Sequence, residues 1–251
     1  MFTGNGHGTY AVRAVNLCVS LGGRSVLDQF TLDIPSQTVV ALVGRSGSGK
    51  STLLDCIAGL RAADSGRVEI KGSSRRFGYL MQEDALLPWR TIRGNVLVGG
   101  EIMGLSPCVS RANAVLRALG LEGAEELFPT QASEGMRRRA SLARTILHDP
   151  SLLLLDEPFA HIDLPQKLRI QSWMRKRMLD GAATAVIVTH DLEDAITLAD
   201  SVVVLQGPPL CIRAIIPVRP AGSSVDAVGL RSTKAFGEMF QKIWAAFDAP
   251  K

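Results

Sequence analysis

The chain has 251 residues, of which 46% are hydrophobic and 21% charged, with a formal net charge of +4. That is room for one large domain, or one domain and a small subdomain, with a core that needs no disulfide staples. The longest apolar runs, such as residues 152–155, fall far short of the roughly 18 residues of a membrane helix, so any membrane association must pass through another protein.

The N-terminal stretch MFTGNGHGTY has neither the charged start nor the apolar core of a secretory signal, so residues 1–10 are expected to form a loose tail and the chemistry to be cytoplasmic. Cys18, Cys56, Cys108 and Cys211 are scattered, with no CxxC and no histidine at ligand spacing, and buried reduced thiols are expected. Basic residues cluster at Arg75 and Arg76, at Arg137 to Arg139 and at Arg175 to Arg177. No aromatics interleave them, so no nucleic-acid partner is expected; a solvated helix face or a membrane-side partner accounts for them.

The first strong element is TVVALV, residues 38–43, a β-branched apolar run of the kind buried in parallel sheets. It leads at once into Gly44-Arg45-Ser46-Gly47-Ser48-Gly49-Lys50-Ser51-Thr52 and a helical pattern, STLLDCIAGL. This is the strand, loop and helix order of a P-loop. Glycines at 44, 47 and 49 let backbone N–H groups converge on a phosphate, and the helix N-terminus adds positive potential. Lys50 would reach the outer phosphates, Ser51 would ligate Mg2+, and Thr52 would bond an inner phosphate.

Residues 83–128 turn helical, and SRANAVLRALGL places Ala112, Val115, Leu116 and Leu119 on one face. MRRRASLARTIL is a second helix, with Ala140, Leu142, Ala143, Ile146 and Leu147 for burial. Next, a strand at 151–155 delivers Asp156 and Glu157 to its carboxyl end, where open α/β sheets bind ligands. Asp156 is placed to hold the metal and Glu157 to accept a proton from an attacking water. A third strand, TAVIVTH at 184–190, ends in His190 at the same sheet edge. The chemistry implied is hydrolysis of a nucleoside triphosphate, which rests on positioning and electrostatics.

In order and spacing, GRSGSGKST at 44, Gln82 in YLMQEDALLPW, SEGM at 133, LLLLDEP at 152, Asp163 in AHID and His190 resemble the Walker A, Q-loop, signature, Walker B, D-loop and H-loop of ABC-transporter ATP-binding subunits. The resemblance runs over about residues 11–220, with a helical subdomain at about 83–148 and a short helical extension at 221–251. It implies a P-loop NTPase α/β fold: a parallel sheet, an N-terminal antiparallel β subdomain and an inserted helical subdomain. It also implies that Gln82 contacts Mg2+ and the attacking water, alongside Glu157 and His190, and that Asp163 acts across a head-to-tail homodimer. Ser133 and Gly135 would cap the γ-phosphate of ATP held by the other copy. The LLPWRTIRGNV segment lies where relatives dock their integral-membrane permease, which would place the chain at the cytoplasmic face of the cell membrane, with a solute-binding protein as an indirect partner.

Two positions depart from the family pattern. Leu21 stands where relatives usually carry an aromatic residue that stacks on adenine, a contact worth ~1–3 kcal/mol where aromatics stack on bases. The signature reads Ala132-Ser133-Glu134-Gly135 where relatives commonly read LSGG. A carboxylate about 4 Å from a γ-phosphate would be repelled by on the order of 4 kcal/mol per unit charge at an effective dielectric of 20. The favoured reading turns Glu134 outward, where the helix dipole accepts an acid and Arg138, four residues on, offers an ion pair.

After VVVLQGPP, the run CIRAIIPVRP resembles an extra strand of the nitrate, sulfonate and taurine importer ATPases, which also share the LLPW ending and a short C-terminal helix. Phe236, Met239, Phe240, Ile243, Trp244 and Phe247 make one apolar face, expected to dock on the chain's own domain. The expectation is an ATPase energising a small-solute importer, for nitrate, a sulfonate or a taurine-like anion. A thiamine-precursor importer is the alternative, and so is a repair or chromosome-maintenance ATPase, though the latter lacks room for its coiled-coil insertion. A GTPase is disfavoured because no NKxD occurs.

Overall fold

The structure is a computed structural model that describes residues 10–71, 77–180, 182–219 and 227–248. In chain order, β1 (Tyr10–Leu21) and β2 (Arg24–Pro35) form a hairpin through Gly22 and Gly23, both at positive φ, and β3 (Val39–Val43) leads into α1 (Lys50–Ile57). β4 (Ser65–Ile70) and β5 (Phe77–Leu80) follow, then α2 (Ile92–Ile102), α3 (Val109–Ala118), a single 3-10 turn at Pro129–Gln131 and α4 (Glu134–Ile146). The second half alternates β6 (Leu152–Asp156), α5 (Leu164–Asp180), β7 (Thr184–Thr189), α6 (Leu192–Leu198) and β8 (Ser201–Gln206). β9 (Cys211–Pro217), α7 (Ala227–Arg231) and α8 (Lys234–Asp248) close the chain.

Two sheets result. The small one is antiparallel, in the order β2-β1-β4; the large one has the order β5-β6-β7-β3-β8-β9, parallel throughout except for the β8–β9 pair. The central strands are apolar throughout β3 and, in β6, β7 and β8, everywhere but at their ends, because both faces of the large sheet are covered, and their period of two sorts side chains between two cores. Val39, Ala41, Val43, Leu153, Leu155, Ala185 and Ile187 join the core with α4, α5 and α6, whereas Val40, Leu42, Leu152, Leu154, Val186 and Val188 join α1 and the antiparallel sheet. Each fully buried leucine or valine of this kind stabilises by about 1.5–3 kcal/mol.

Several sequence expectations are corrected here. Tyr10 belongs to β1 rather than to a tail: it pairs with Pro35, its hydroxyl donates to Glu69 at 2.7 Å, and Arg13 and Lys71 lie over its ring. Of the four free cysteines only Cys56 is buried; Cys108 and Cys211 are exposed, since β9 is an edge strand and Cys108 precedes α3 in a loop. Arg138 and Arg175 are not on solvated faces but are 2% and 3% exposed. Consecutive helical residues point about 100° apart, so a run of three arginines cannot keep every side chain on one outer face. Arg75, Arg76, residues 1–9 and the 220–226 stretch lie outside the described residues.

The C-terminal helix α8 docks on its own domain. Phe236 and Ile243 are buried in the core shared with α6 and β8, Phe240 and Phe247 pack half-buried against that core, and Trp244 stacks on both while remaining 48% exposed.

Candidate active site

The loop after β3 is shaped by its glycines. A Cβ at Gly44 would lie 2.7 Å from the Leu205 carbonyl oxygen, so the strand end packs directly on β8. Gly49, the N-cap of α1, has φ +107, a conformation that L residues rarely adopt. Lys50 sits beneath this turn, 6% exposed, and its Nζ donates to the Gly44 and Arg45 carbonyl oxygens at 2.8 Å each and to Ser48 Oγ at 3.4 Å. Burial pulls its pKa below the ordinary lysine value, and the charges of Glu157 and Asp156 oppose that fall. Arg45 and Ser46 are exposed, Ser51 and Thr52 half-buried; Arg45 reaches Asp248 at the end of α8, 3.6 Å away.

The end of β6 faces this loop. Asp156 is 2% exposed and hydrogen-bonded to the Ser51 side chain. Burial raises its pKa, the Ser51 hydrogen bond opposes, and the neighbouring Glu157 charge adds to the rise. Glu157 follows with φ +48, a strained setting for a non-glycine residue. That turn aims its carboxylate at the end of β7: Oε1 accepts from the His190 backbone N–H at 3.1 Å and lies 2.7 Å from His190 Nδ1, and Oε2 accepts from Thr189 Oγ1 at 3.3 Å. The His190 ring is 71% exposed on its outer side.

Lys50, Ser51, Asp156, Glu157 and His190 are therefore gathered at the carboxyl ends of three neighbouring strands, β6, β7 and β3. Gln82 reaches the same edge from β5, because Leu80 pairs with Leu155. Its side chain is exposed, and its carbonyl oxygen accepts from Arg138 Nη1 at 3.2 Å. Ser133 caps α4 by accepting from the Met136 N–H at 3.3 Å; Gly135 packs on the His161 carbonyl oxygen; Asp163 caps α5 by accepting from the Gln166 N–H at 3.1 Å. These three lie at the start of α4 and on the loop after β6.

Arg138 is the residue the sequence reading missed. It donates to the carbonyl oxygens of Met81, Gln82, Asp156 and Glu157 and lies 3.5 Å from Asp84, so one guanidinium joins α4, the segment after β5 and the end of β6. Ser141 and Arg144, one turn on, donate to the Asp84 and Ala85 carbonyl oxygens. The signal was its place in the stripe Arg138, Ser141, Leu142, at the spacing of a buried face. The proposed Glu134–Arg138 pair does not form; Glu134 pairs instead with His161 at 3.0 Å. Thr189, which steadies Glu157 and accepts from the Asp191 N–H at 3.0 Å, was also unread.

A glycine-rich loop opening a helix beneath a parallel sheet, with a buried acid and a second carboxylate opposite, defines a P-loop nucleoside triphosphatase. The protein-family model described as ABC transporter matches residues 27–160. The chain is 38% identical over 212 residues to the uncharacterized ABC transporter ATP-binding protein YtlC of Bacillus subtilis, covering 82% of each. It is 40% identical over 197 residues to an aliphatic sulfonates import ATP-binding protein, SsuB 2, of Mesorhizobium japonicum, covering 78% of this chain and 77% of that one. A probable sulfate/thiosulfate import ATP-binding protein, CysA, of Chlorella vulgaris is 38% identical over 76% of this chain and 85% of its own length. Among solved structures, the ATP-binding cassette MJ0796, a dimer in a post-hydrolysis state bound to ADP and Pi, superposes with a TM-score of 0.75 at 25% identity, over 83% of this chain and 99% of that one. The chain belongs to the ABC transporter family, as an ATP-binding subunit and an ATPase coupled to transmembrane transport. No helix among the described residues is long and apolar enough to cross a membrane.

Proposed function

We propose that this chain hydrolyses ATP to drive import of a small oxyanion or sulfonate through a separate membrane permease, working from the cytoplasmic face with a second copy of itself. The observation that carries the reading is the Glu157 carboxylate, bonded to His190 and Thr189 beside the Lys50, Ser51 and Asp156 cluster. The SsuB and CysA relatives, named for import of aliphatic sulfonates and of sulfate/thiosulfate, support the solute class.

Each residue has a physical task. The backbone N–H groups of residues 45–50 and the Lys50 ammonium would bind the phosphates, and Thr52 would reach the innermost one. Mg2+ fits the donors present: Ser51 and Asp156 already meet through a hydroxyl and a carboxylate oxygen, the hard ligands it takes, and it keeps several waters rather than needing a full protein cage. Gln82 would complete that set. When bound, the cation neutralises the oxygens of the transferring phosphate. Glu157 would accept a proton from the attacking water, with the His190 ring and Thr189 hydroxyl holding the carboxylate still. Ser133 and Gly135 would bind the γ-phosphate on the partner copy, and Asp163 would sit across the same interface.

The permease contact would be the segment after Gln82. Asn95, fully buried, accepts from the Leu87 N–H at 2.7 Å and donates to the carbonyl oxygens of Leu87, Arg90 and Thr91, which fixes the turn and leaves Trp89 71% exposed. Arg138 joins the start of this segment, at the Met81 and Gln82 carbonyl oxygens, to the α4 helix and to the Glu157 carbonyl, so a shift at any one would be felt by the others.

The test is hydrolysis by the full chain. Glu157→Gln should keep ATP binding and lose on the order of 10²- to 10⁴-fold in turnover. A variant that hydrolyses at the wild-type rate would remove the base from Glu157. Solute class is read by uptake of sulfonate, sulfate and nitrate into vesicles holding the complex of this chain with its permease and binding protein; transport of none of them refutes the oxyanion reading.

A further inference from the structure

Glu134 is the first residue of α4, between its N-cap Ser133 and Gly135. Its Oε1 lies 3.0 Å from Nδ1 of His161, in the loop between β6 and α5. Both side chains are more than half exposed, 58% and 59%, so burial does not hold them together. The backbone does. His161 has φ +61, and its carbonyl oxygen is so near Gly135 that a Cβ there would lie 2.5 Å away. The start of α4 and the His161 loop are thus in direct main-chain contact, which sets the imidazole opposite the carboxylate.

The other charged groups nearby are engaged elsewhere. Arg137 donates to the Ala132 carbonyl oxygen and lies 3.7 Å from Asp84; Arg139 donates to the carbonyl oxygens of Gly135, Leu119 and Gly120. Asp163 caps α5, and Lys167 pairs with Asp191 and Asp194. Among the described residues, His161 is the donor that meets Glu134.

We infer that His161 is a positioning residue for the Ser133–Gly135 segment, holding the Glu134 carboxylate against the loop and off the anion-binding end of α4. The inference rests on the proposed reading, in which that helix end receives the γ-phosphate bound by a second copy. Free N–H groups and the positive end of the helix dipole attract whichever anion can reach them. A carboxylate at the first helical position is the nearest one. With its oxygen taken by His161, the site stays open to phosphate; released, the acid competes for the same N–H groups and repels the incoming charge.

The experiment is steady-state hydrolysis of Mg-ATP by the full chain. His161→Ala should raise KM for ATP about tenfold with kcat changed less than twofold, because a competing charge at an exposed site weakens binding without touching the base. Combining it with Glu134→Gln should return KM to within about twofold of Glu134→Gln alone. His161→Gln, which keeps a donor amide, should recover part of the loss. A His161→Ala KM within twofold of wild type, or a double variant as impaired as His161→Ala, overturns the inference and leaves the functional reading standing. A wild-type chain that turns over no ATP refutes that reading and the inference with it.

Discussion

Arg138 places a full charge where water does not reach, and its surroundings explain how. Burial lowers its pKa, the Asp84 charge and hydrogen bond oppose that fall, and the remaining donors go to backbone carbonyl oxygens that would otherwise be unsatisfied. Its planar fork serves several acceptors at once, which an ammonium on a flexible stem does not reproduce. Arg138→Ala should therefore cost about 3 kcal/mol or more in urea unfolding, since it strands several carbonyl groups and leaves Asp84 with Arg137 as its remaining cation. Arg138→Lys should recover less than half of that loss. An alanine variant as stable as wild type would show that the carbonyl groups find other donors. At this scale the sequence was legible only in part. Glycines 44, 47 and 49, Lys50 and the two acids announced themselves because their spacing alone fixes their geometry. The Glu134–His161 pair did not, because its members are distant in the chain and meet only through the packing of α4 on the loop after β6.

Secondary structure shows the same division between local and tertiary cause. β3, β6 and β7 were readable as uninterrupted apolar runs because both sheet faces are covered, and each lies within a residue or two of its expected bounds. What no run could show is the large sheet's order, set by crossovers, or that β4 leaves the neighbourhood of β3 to pair with β1. The apolar face of α8 was visible at its spacing of three and four, yet the division of labour along it was not: Phe236 and Ile243 enter the core while Asp248 reaches Arg45 in the glycine-rich loop after β3. These two attachments differ greatly in strength. Ile243→Ala should destabilise by about 2–5 kcal/mol through the cavity it leaves. Asp248→Asn should change stability by less than about 1 kcal/mol, because both partners of that ion pair are largely exposed. Thermal unfolding of the two variants separates them, and a large loss from Asp248→Asn would mean that the Arg45 contact, and not the apolar face, anchors the helix.

Across the whole molecule, the residues proposed to meet the chain's own nucleotide converge on one edge of the large sheet, while α4 and the start of the segment that leads to Trp89 are tied to that edge through Arg138. Ligand binding at such a place should stabilise the fold by linkage, because the unfolded chain has no loop to bind phosphate. At a free Mg-ATP concentration one hundred times Kd the gain is about 2.7 kcal/mol. For a chain of this length that corresponds to a rise in Tm of roughly 5–10 °C. Lys50→Met should abolish the rise, since the buried ammonium is the cation placed to replace its Gly44 and Arg45 carbonyl partners with phosphate oxygens. Glu157→Gln should keep the rise in full, because its carboxylate is directed at His190 and Thr189 rather than at the loop. The comparison is made as the shift with and without nucleotide within each variant, so that any change in ligand-free stability from altering a buried lysine cancels. Equal shifts in wild type and Lys50→Met would move phosphate binding away from the loop after β3, whereas loss of the shift in Glu157→Gln would assign that carboxylate to binding instead of to proton transfer.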